Sequence, residues 1–266
     1  MKRIFKYFGK TILFFLKQTL QATLVAVLLI VIIVGITTAT LMEYKKSEII
    51  VEKNSYLELN FANGMIEKKG SALFELEKKM RLYEVLEVIK KASIDPNIEG
   101  IYMNIDSVNL SANHIEEVGE ALDKFKESGK KVYAFTRILN NTNYGLGIYA
   151  NKIAMPPIHS SMININGYYK EFNYFKGLAD YIGIKFNVVH IGDYKAYGEQ
   201  YYKENMSKEL KKDITRIYNK IYDERIEKIA EKRDVEKIAI SKAILEGQLV
   251  MTDSIFGEKI GLIDDL

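Results

Sequence analysis

Hydrophobic and polar positions alternate along the chain with three different rhythms. Residues 18–42 contain no charge at all, and 24–36 is nearly continuous Leu, Ile and Val. About 20 such residues cross a bilayer as a helix. Twelve Leu, Ile or Val side chains fall between Ala22 and Met42, each favouring insertion by about 0.3–0.6 kcal/mol near the helix centre, which outweighs the few threonines. Thr37-Thr38-Ala39-Thr40 is small-residue sequence of the kind that precedes signal cleavage. The apolar run is long for a cleaved signal peptide, however, and an uncleaved anchor is the reading adopted. Lys2, Arg3, Lys6, Lys10 and Lys17 precede it, a distribution that places the N-terminus in the cytoplasm and everything after Glu43 outside.

Beyond the anchor the rhythm switches between two and about 3.6 residues. Leu57, Leu59 and Phe61 share one face of a strand at 56–61, and Asn63-Gly64 turns the chain. A helix is predicted at 71–92, with Leu82, Val85, Leu86 and Ile89 on one stripe. Asp95-Pro96-Asn97 leads into a strand at 98–106. Ser111 or Asn113 caps the next helix, whose inward positions are Ile115, Val118, Leu122 and Phe125; Glu116 would complete an Asn-x-x-Glu capping box. That helix stops at Ser128-Gly129, and a strand follows at 131–136. Further along come a Gly-containing helical turn at 140–150, a short strand at 152–155, a Pro156-Pro157 loop and a helix at 171–182. A β-branched strand at 186–190 precedes a long helix at 206–233 with the core stripe Leu210, Ile214, Ile217 and Ile221. A last helix spans 235–245. Strands and helices alternating at these lengths predict an α/β domain with a mainly parallel sheet. The organisation expected is a basic segment at 1–17, an anchor at 18–42, a connector at 43–54 and the α/β domain at 55–266.

Composition narrows the chemistry. The net charge of +3 resides in the N-terminal cluster, leaving the rest near neutral and arguing against a nucleic-acid surface. Cysteine is absent, which excludes disulfides and thiolate metal sites. His114, His159 and His190 are scattered without ligand-like spacing. The stretch FNVVHIGDYKAYGEQYYKENMS at 186–207 delivers Tyr194-Lys195 just past a predicted strand end. Loops at strand ends are where α/β proteins tend to place chemistry. A lysine can serve as general base when burial lowers its pKa. By that signal alone Lys195 is one candidate among many solvated lysines.

Several segments, taken in order, carry a family likeness. Besides the basic N-terminus and single anchor they are DPNIEGIYMNID at 95–106, ALDKFKESGKKVYAF at 121–135, YANKIAMPP at 149–157, GDYKAYGEQYYKENMS at 192–207 and EKIGLIDDL at 258–266. In these the chain resembles the N-terminal half of the long, two-repeat form of signal peptide peptidase A, a membrane-anchored serine peptidase of the crotonase/Clp-protease superfamily. The resemblance implies a crotonase-like fold and a Ser–Lys dyad. Its lysine lies in a G-x-Y-K-x-x-x-E segment matched here by Gly192, Tyr194, Lys195 and Glu199, followed by Met206-Ser207. Only a neutral, desolvated lysine accepts a serine proton near pH 7, because the free side chain titrates near 10.4.

The resemblance also implies the rest of the functional picture. The substrates would be cleaved signal peptides or other apolar peptides, handled at the outer face of the cytoplasmic membrane by a homo-oligomer that needs no cofactor. Single-repeat relatives carry their nucleophile in an S-G-G-Y segment before the strand at 152–155. Here that stretch reads Asn141-Thr142-Asn143-Tyr144, so the serine is expected from a C-terminal repeat, either continuing this chain or carried on a separate polypeptide. Ser160 and Ser161 fall outside the nucleophile position and read as loop serines. The alternative is a non-catalytic crotonase-like scaffold or binding module. A crotonase acting on acyl-CoA is disfavoured by the expected location outside the cytoplasm.

Overall fold

The computed structural model describes residues 2–44, 50–67, 79–189, 191–192 and 194–266, and the chain divides into two compact units, 1–51 and 52–266. The first is a single helix, α1 (Lys2–Tyr44). Its Leu13–Thr38 stretch is long and apolar enough to cross a membrane, and none of it is buried against protein. The threonines that interrupt the stretch satisfy themselves. Thr23 donates to the Thr19 carbonyl at 2.7 Å, Thr37 to Ile33 at 2.9 Å and Thr38 to Val34 at 2.8 Å. Such back-bonding removes much of the cost of taking a hydroxyl into hydrocarbon.

The second unit is α/β. In chain order it comprises β1 (Ser55–Asn60), β2 (Met65–Ile66), β3 (Met80–Arg81), α2 (Leu82–Ile94), β4 (Ile98–Asn104), α3 (Ala112–Lys126), β5 (Lys131–Phe135) and β6 (Ile138–Asn140). There follow α4 (Asn141–Gly147), β7 (Lys152–Ala154), β8 (Met162–Asn164), α5 (Lys176–Tyr181), α6 (Glu199–Tyr202), α7 (Lys208–Arg233), α8 (Lys237–Leu245) and α9 (Ser254–Lys259). The main sheet runs β1-β4-β5-β7, all parallel, with Leu57 opposite Ile101 and Ala134 opposite Ile153. Two smaller parallel pairs, β2-β3 and β6-β8, flank it.

Burial alternates along these strands, one face of the sheet being enclosed and the other left half-exposed. Accordingly Ile101, Met103, Ile105, Val132 and Ile153 are all fully enclosed. Leu82, Val85 and Ile89 of α2 and Val118, Leu122 and Phe125 of α3 complete the same core. The C-terminal segment is stitched to the sheet edge. Met155 donates to the Asp265 carbonyl at 3.0 Å, Ile153 to the Asp264 carboxylate at 2.7 Å, and the buried Arg233 pairs with Asp264 at 2.8 Å.

Several predicted elements differ from those observed, each for a local reason. The helix expected at 71–92 begins at Leu82; residues 71–78 lie outside the described residues. Met80 and Arg81 instead pair with β2, and the Glu84 carboxylate turns back to accept from the Arg81 N–H at 3.2 Å. Ser111, not Asn113, caps α3, accepting from His114 N–H at 3.2 Å. The helix expected at 171–182 shrinks to α5, because Phe175 N–H is engaged by the Gln200 carbonyl at 2.7 Å. The strand expected at 186–190 does not form: 186–189 joins no sheet, and His190 lies outside the described residues. Its side chains lean on α6 instead. Phe186 packs its ring 4.9 Å from that of Tyr201, and Val188 sits against Gly198, where a Cβ would come within 2.4 Å. The expected core stripe of α7 is also corrected. Ile217 and Ile221 remain 37% and 42% exposed, and the helix packs through Ile226 and Ile229 near its C-terminus.

Candidate active site

The N-terminus of α4 stands where the nucleophile was sought, and it is sealed by its own side chains. Asn140 caps the helix, its Oδ1 accepting from the N–H groups of Thr142 at 2.9 Å and Asn143 at 3.1 Å. Asn143 returns the favour, accepting from Asn140 N–H at 2.6 Å and donating to the carbonyls of Ile105 at 2.9 Å and Ile138 at 2.5 Å. Asn141 forms a two-bond clamp with the backbone of Asn166, donating at 3.0 Å and accepting at 3.1 Å. The guanidinium of Arg225, arriving from α7, donates to Asn141 Oδ1 at 2.7 Å and lies 5.6 Å from the centre of the Tyr168 ring. An oxyanion hole needs free donors aimed at empty space. Here the Thr142 and Asn143 donors are spent within the helix cap.

A cavity of about 280 Å³ opens beside this node, lined among others by Asn141, Tyr149, Tyr168, Arg225 and Lys228. The lysine in its lining is disarmed as a proton acceptor. Lys228 Nζ is clasped by Glu116, and the Tyr149 hydroxyl shares the same carboxylate at 3.3 Å. Burial alone would lower the Lys228 pKa, but the bond to Glu116 and the Tyr149 oxygen outweigh it and raise the value. Lys228 therefore stays protonated. Glu116, expected to close a capping box, instead forms this bridge across 112 residues of sequence.

Lys195 lies outside that cavity, on the segment between Gly192 and α6. Its N–H donates to the Gly192 carbonyl at 3.4 Å, and Gly192 takes the left-handed φ of +84° that favours glycine. The Lys195 side chain is exposed, and among the described residues no hydrogen bond or ion pair reaches its Nζ. Glu199, four residues on, is the most enclosed carboxylate of the region, 2% exposed. It accepts from Lys203 Nζ at 3.0 Å and from Ser207 N–H at 3.1 Å, while Ser207 itself caps α7 by accepting from Leu210 N–H at 3.1 Å. Burial pushes the Glu199 carboxyl upward, but the hydrogen bonds from Ser207 and Lys203 win and hold it below the usual carboxylate range. The Glu199–Ser207 bond thus fastens the Lys195 segment to the start of α7.

The remaining serines fit a loop role. Ser160 is exposed, and Ser161 closes a turn by donating its N–H to Ile158 at 2.9 Å. The Ser161 hydroxyl is buried, with no partner among the described residues to activate it. No group of three or more His, Asp or Glu side chains suited to a metal occurs among the described residues. Sequence reasoning missed Arg225, which sits inside a dense Lys/Glu pattern read as solvated surface. No spacing signal links it to a residue 84 positions away.

The model of peptidase family S49 matches residues 124–265, more than half of the chain, and the chain belongs to that family. It is similar to Protease 4 of Haemophilus influenzae, 26% identical over 163 residues that make up 60% of this chain and 26% of that protein. It is likewise similar to the chloroplastic serine protease SPPA of Arabidopsis thaliana, 26% identical over 168 residues, covering 63% of this chain and 24% of the relative. The chain thus spans about a quarter of the length of these relatives. Among solved structures it is similar to the 1510-N membrane-bound stomatin-specific protease with a substrate peptide (TM-score 0.42, 12% identity, 81% of this chain and 76% of the other). It is also similar to an enoyl-CoA hydratase/isomerase family member (TM-score 0.39, 12% identity, 69% and 58%).

Proposed function

We propose that the chain is the lysine-bearing half of a membrane-anchored serine endopeptidase that degrades signal peptides and other apolar peptides left after export. In this reading Lys195 is the general base of a Ser–Lys dyad, and the serine belongs to a second, C-terminal peptidase repeat. The anchor lies in the cytoplasmic membrane with the α/β domain on its outer face, and the active enzyme is a homo-oligomer.

The observation that carries the reading is the Gly192–Tyr194–Lys195–Glu199 segment, held against Ser207 by the buried Glu199 carboxylate. The α4 terminus supports the division of labour, since residues 140–144 include no serine and the Thr142 and Asn143 N–H groups are committed to Asn140. The exposure of Lys195 fits the same scheme. A lysine base requires desolvation, which the serine-bearing repeat would provide on covering it. A non-catalytic scaffold is the second reading, favoured by that same sealed terminus and unburied lysine.

A serine-reactive fluorophosphonate separates the two. Applied to the enzyme purified from its native membrane through a tag on this chain, it should label one serine outside residues 1–266. Labelling of Ser160 or Ser161 would contradict the assignment, and no labelling at all would favour the scaffold.

A further inference from the structure

A cavity of about 350 Å³ lies beside Lys195, with Phe172, Tyr174, Tyr194, Tyr197, Glu199 and Leu210 in its lining. Tyr194 and Tyr197 bracket Lys195 in sequence, so the cavity shares a wall with the segment that carries it. Four of those six residues are aromatic and the fifth is an enclosed carboxylate. Rings offer negative faces to a cation, and a carboxylate adds charge; together they select an ammonium or guanidinium group. An anion would meet the negative ring faces and the Glu199 carboxylate, whose charge is shared with Lys203.

Two details favour an absent guest over simple core packing. The Tyr174 hydroxyl is buried with no hydrogen-bond partner among the described residues, and such a group normally has one. Tyr194 and Tyr197 are 66% and 98% exposed, so their rings contribute little to the core. The chemistry is already at work on one wall, where the Lys170 ammonium sits 5.8 Å from the centre of the Phe172 ring. Glu199 is engaged by Lys203 and Ser207, yet each carboxylate oxygen has a second acceptor position.

We infer that this cavity is a subsite for a cationic group of the bound peptide, placed next to Lys195. The inference rests on the peptidase reading above and deepens it. Signal peptides carry a basic stretch ahead of their apolar core. The volume suits one side chain or terminal ammonium, being at the small end of ligand pockets. The subsite would therefore set which end of the peptide lies at the lysine.

The test is binding, measured apart from turnover. Fluorescent peptides with an apolar Leu/Ala core, preceded by three lysines or by three glutamines, would be titrated against the full chain in detergent by anisotropy. Each would be made with a free and with an acetylated N-terminus. The lysine peptide should bind about tenfold more tightly than the glutamine peptide, a contribution in the range of partly desolvated cation–π contacts. A lysine preference that survives acetylation identifies the side chain as the guest, whereas a terminal-ammonium guest shows as equal affinities that acetylation weakens in both peptides. Either difference should fall below about twofold in the Tyr194→Leu/Tyr197→Leu double variant, whose exposed rings can be removed without unfolding the domain. It should persist in Lys195→Ala. Equal affinities that acetylation leaves unchanged, no binding of either peptide, or a preference unchanged in the double variant would overturn the subsite. Turnover by Lys195→Ala with the preference intact would instead sink the catalytic reading and leave the subsite standing.

Discussion

Arg225 donates to Asn141 at 2.7 Å across 84 residues of sequence, joining the middle of α7 to the first residue of α4. A guanidinium with two acceptors, Asn141 and the Asn166 carbonyl at 3.4 Å, is a structural fastener at a position where single-repeat relatives are expected to act chemically. Restoring a hydroxyl there is accordingly insufficient. Asn141→Ser should give no fluorophosphonate adduct at residue 141, because the Thr142 and Asn143 N–H groups remain committed to Asn140. A single oxyanion-hole donor is worth about 10²–10³ in kcat. An adduct at residue 141 detected by mass spectrometry would show that the α4 terminus is not closed.

Removing the fastener tests its structural side. Arg225→Ala leaves part-buried acceptors without their charged donor and should destabilise the domain by about 1–3 kcal/mol. Chemical denaturation of the full chain in detergent checks this; an unchanged midpoint would assign the arginine to the solvated surface.

The enclosed Glu199 carboxylate yields a pH dependence. Its pKa is depressed in the folded state. Its stabilisation is therefore fully present above the unfolded value of about 4.3 and disappears as pH falls through the lower folded value. Glu199→Gln should cost about 1–3 kcal/mol at pH 7. The gap between variant and wild type should close as the pH is taken well below about 4. A gap independent of pH would mean the charge contributes nothing.

Packing under the cavity beside Asn141 and Tyr149 is tight enough to forbid one methyl group. A Cβ on Gly119 would lie 2.3 Å from the Tyr149 ring, and that ring is held by its hydroxyl bond to Glu116. Gly119→Ala should lose about 1–3 kcal/mol through overpacking, despite alanine's better helix propensity, at about 2–4 °C of melting temperature per kcal/mol. A higher melting temperature would show that α3 can move away.

Membrane attachment depends on Leu13–Thr38 alone in this account. Alkaline carbonate should leave the full chain in the membrane pellet, and deletion of residues 1–51 should release it. A full chain that washes off would remove the anchor.

The parallel sheet was legible because one face of its strands is enclosed, so Leu57 and Leu59, Ile101 and Met103, and Val132 and Ala134 mark it at alternate positions between turn residues. The same reasoning failed at 186–190. A β-branched run shows that side chains can pack but not what they pack on, and here α6 supplied the surface. Periodicity on α7 pointed to Leu210, Ile214, Ile217 and Ile221 as the core stripe, yet the helix meets the core later, through Tyr222, Ile226 and Ile229. Lys195 stood out only through its segment, since an exposed lysine carries no local signature. Partners of Asn141 and Glu116 lie 84 and 112 residues distant, beyond any spacing rule.

Lys195→Arg tests the central claim most directly, in the serine-bearing enzyme purified from its native membrane and assayed on a fluorogenic apolar peptide. Arginine preserves length and charge but does not deprotonate in a protein. A general base contributes about 10²–10⁴-fold, so Lys195→Arg should be as inactive as Lys195→Ala while its melting temperature stays that of wild type. Activity above roughly a tenth of wild type would fall short of the smallest such effect and contradict the assignment of Lys195 as the base.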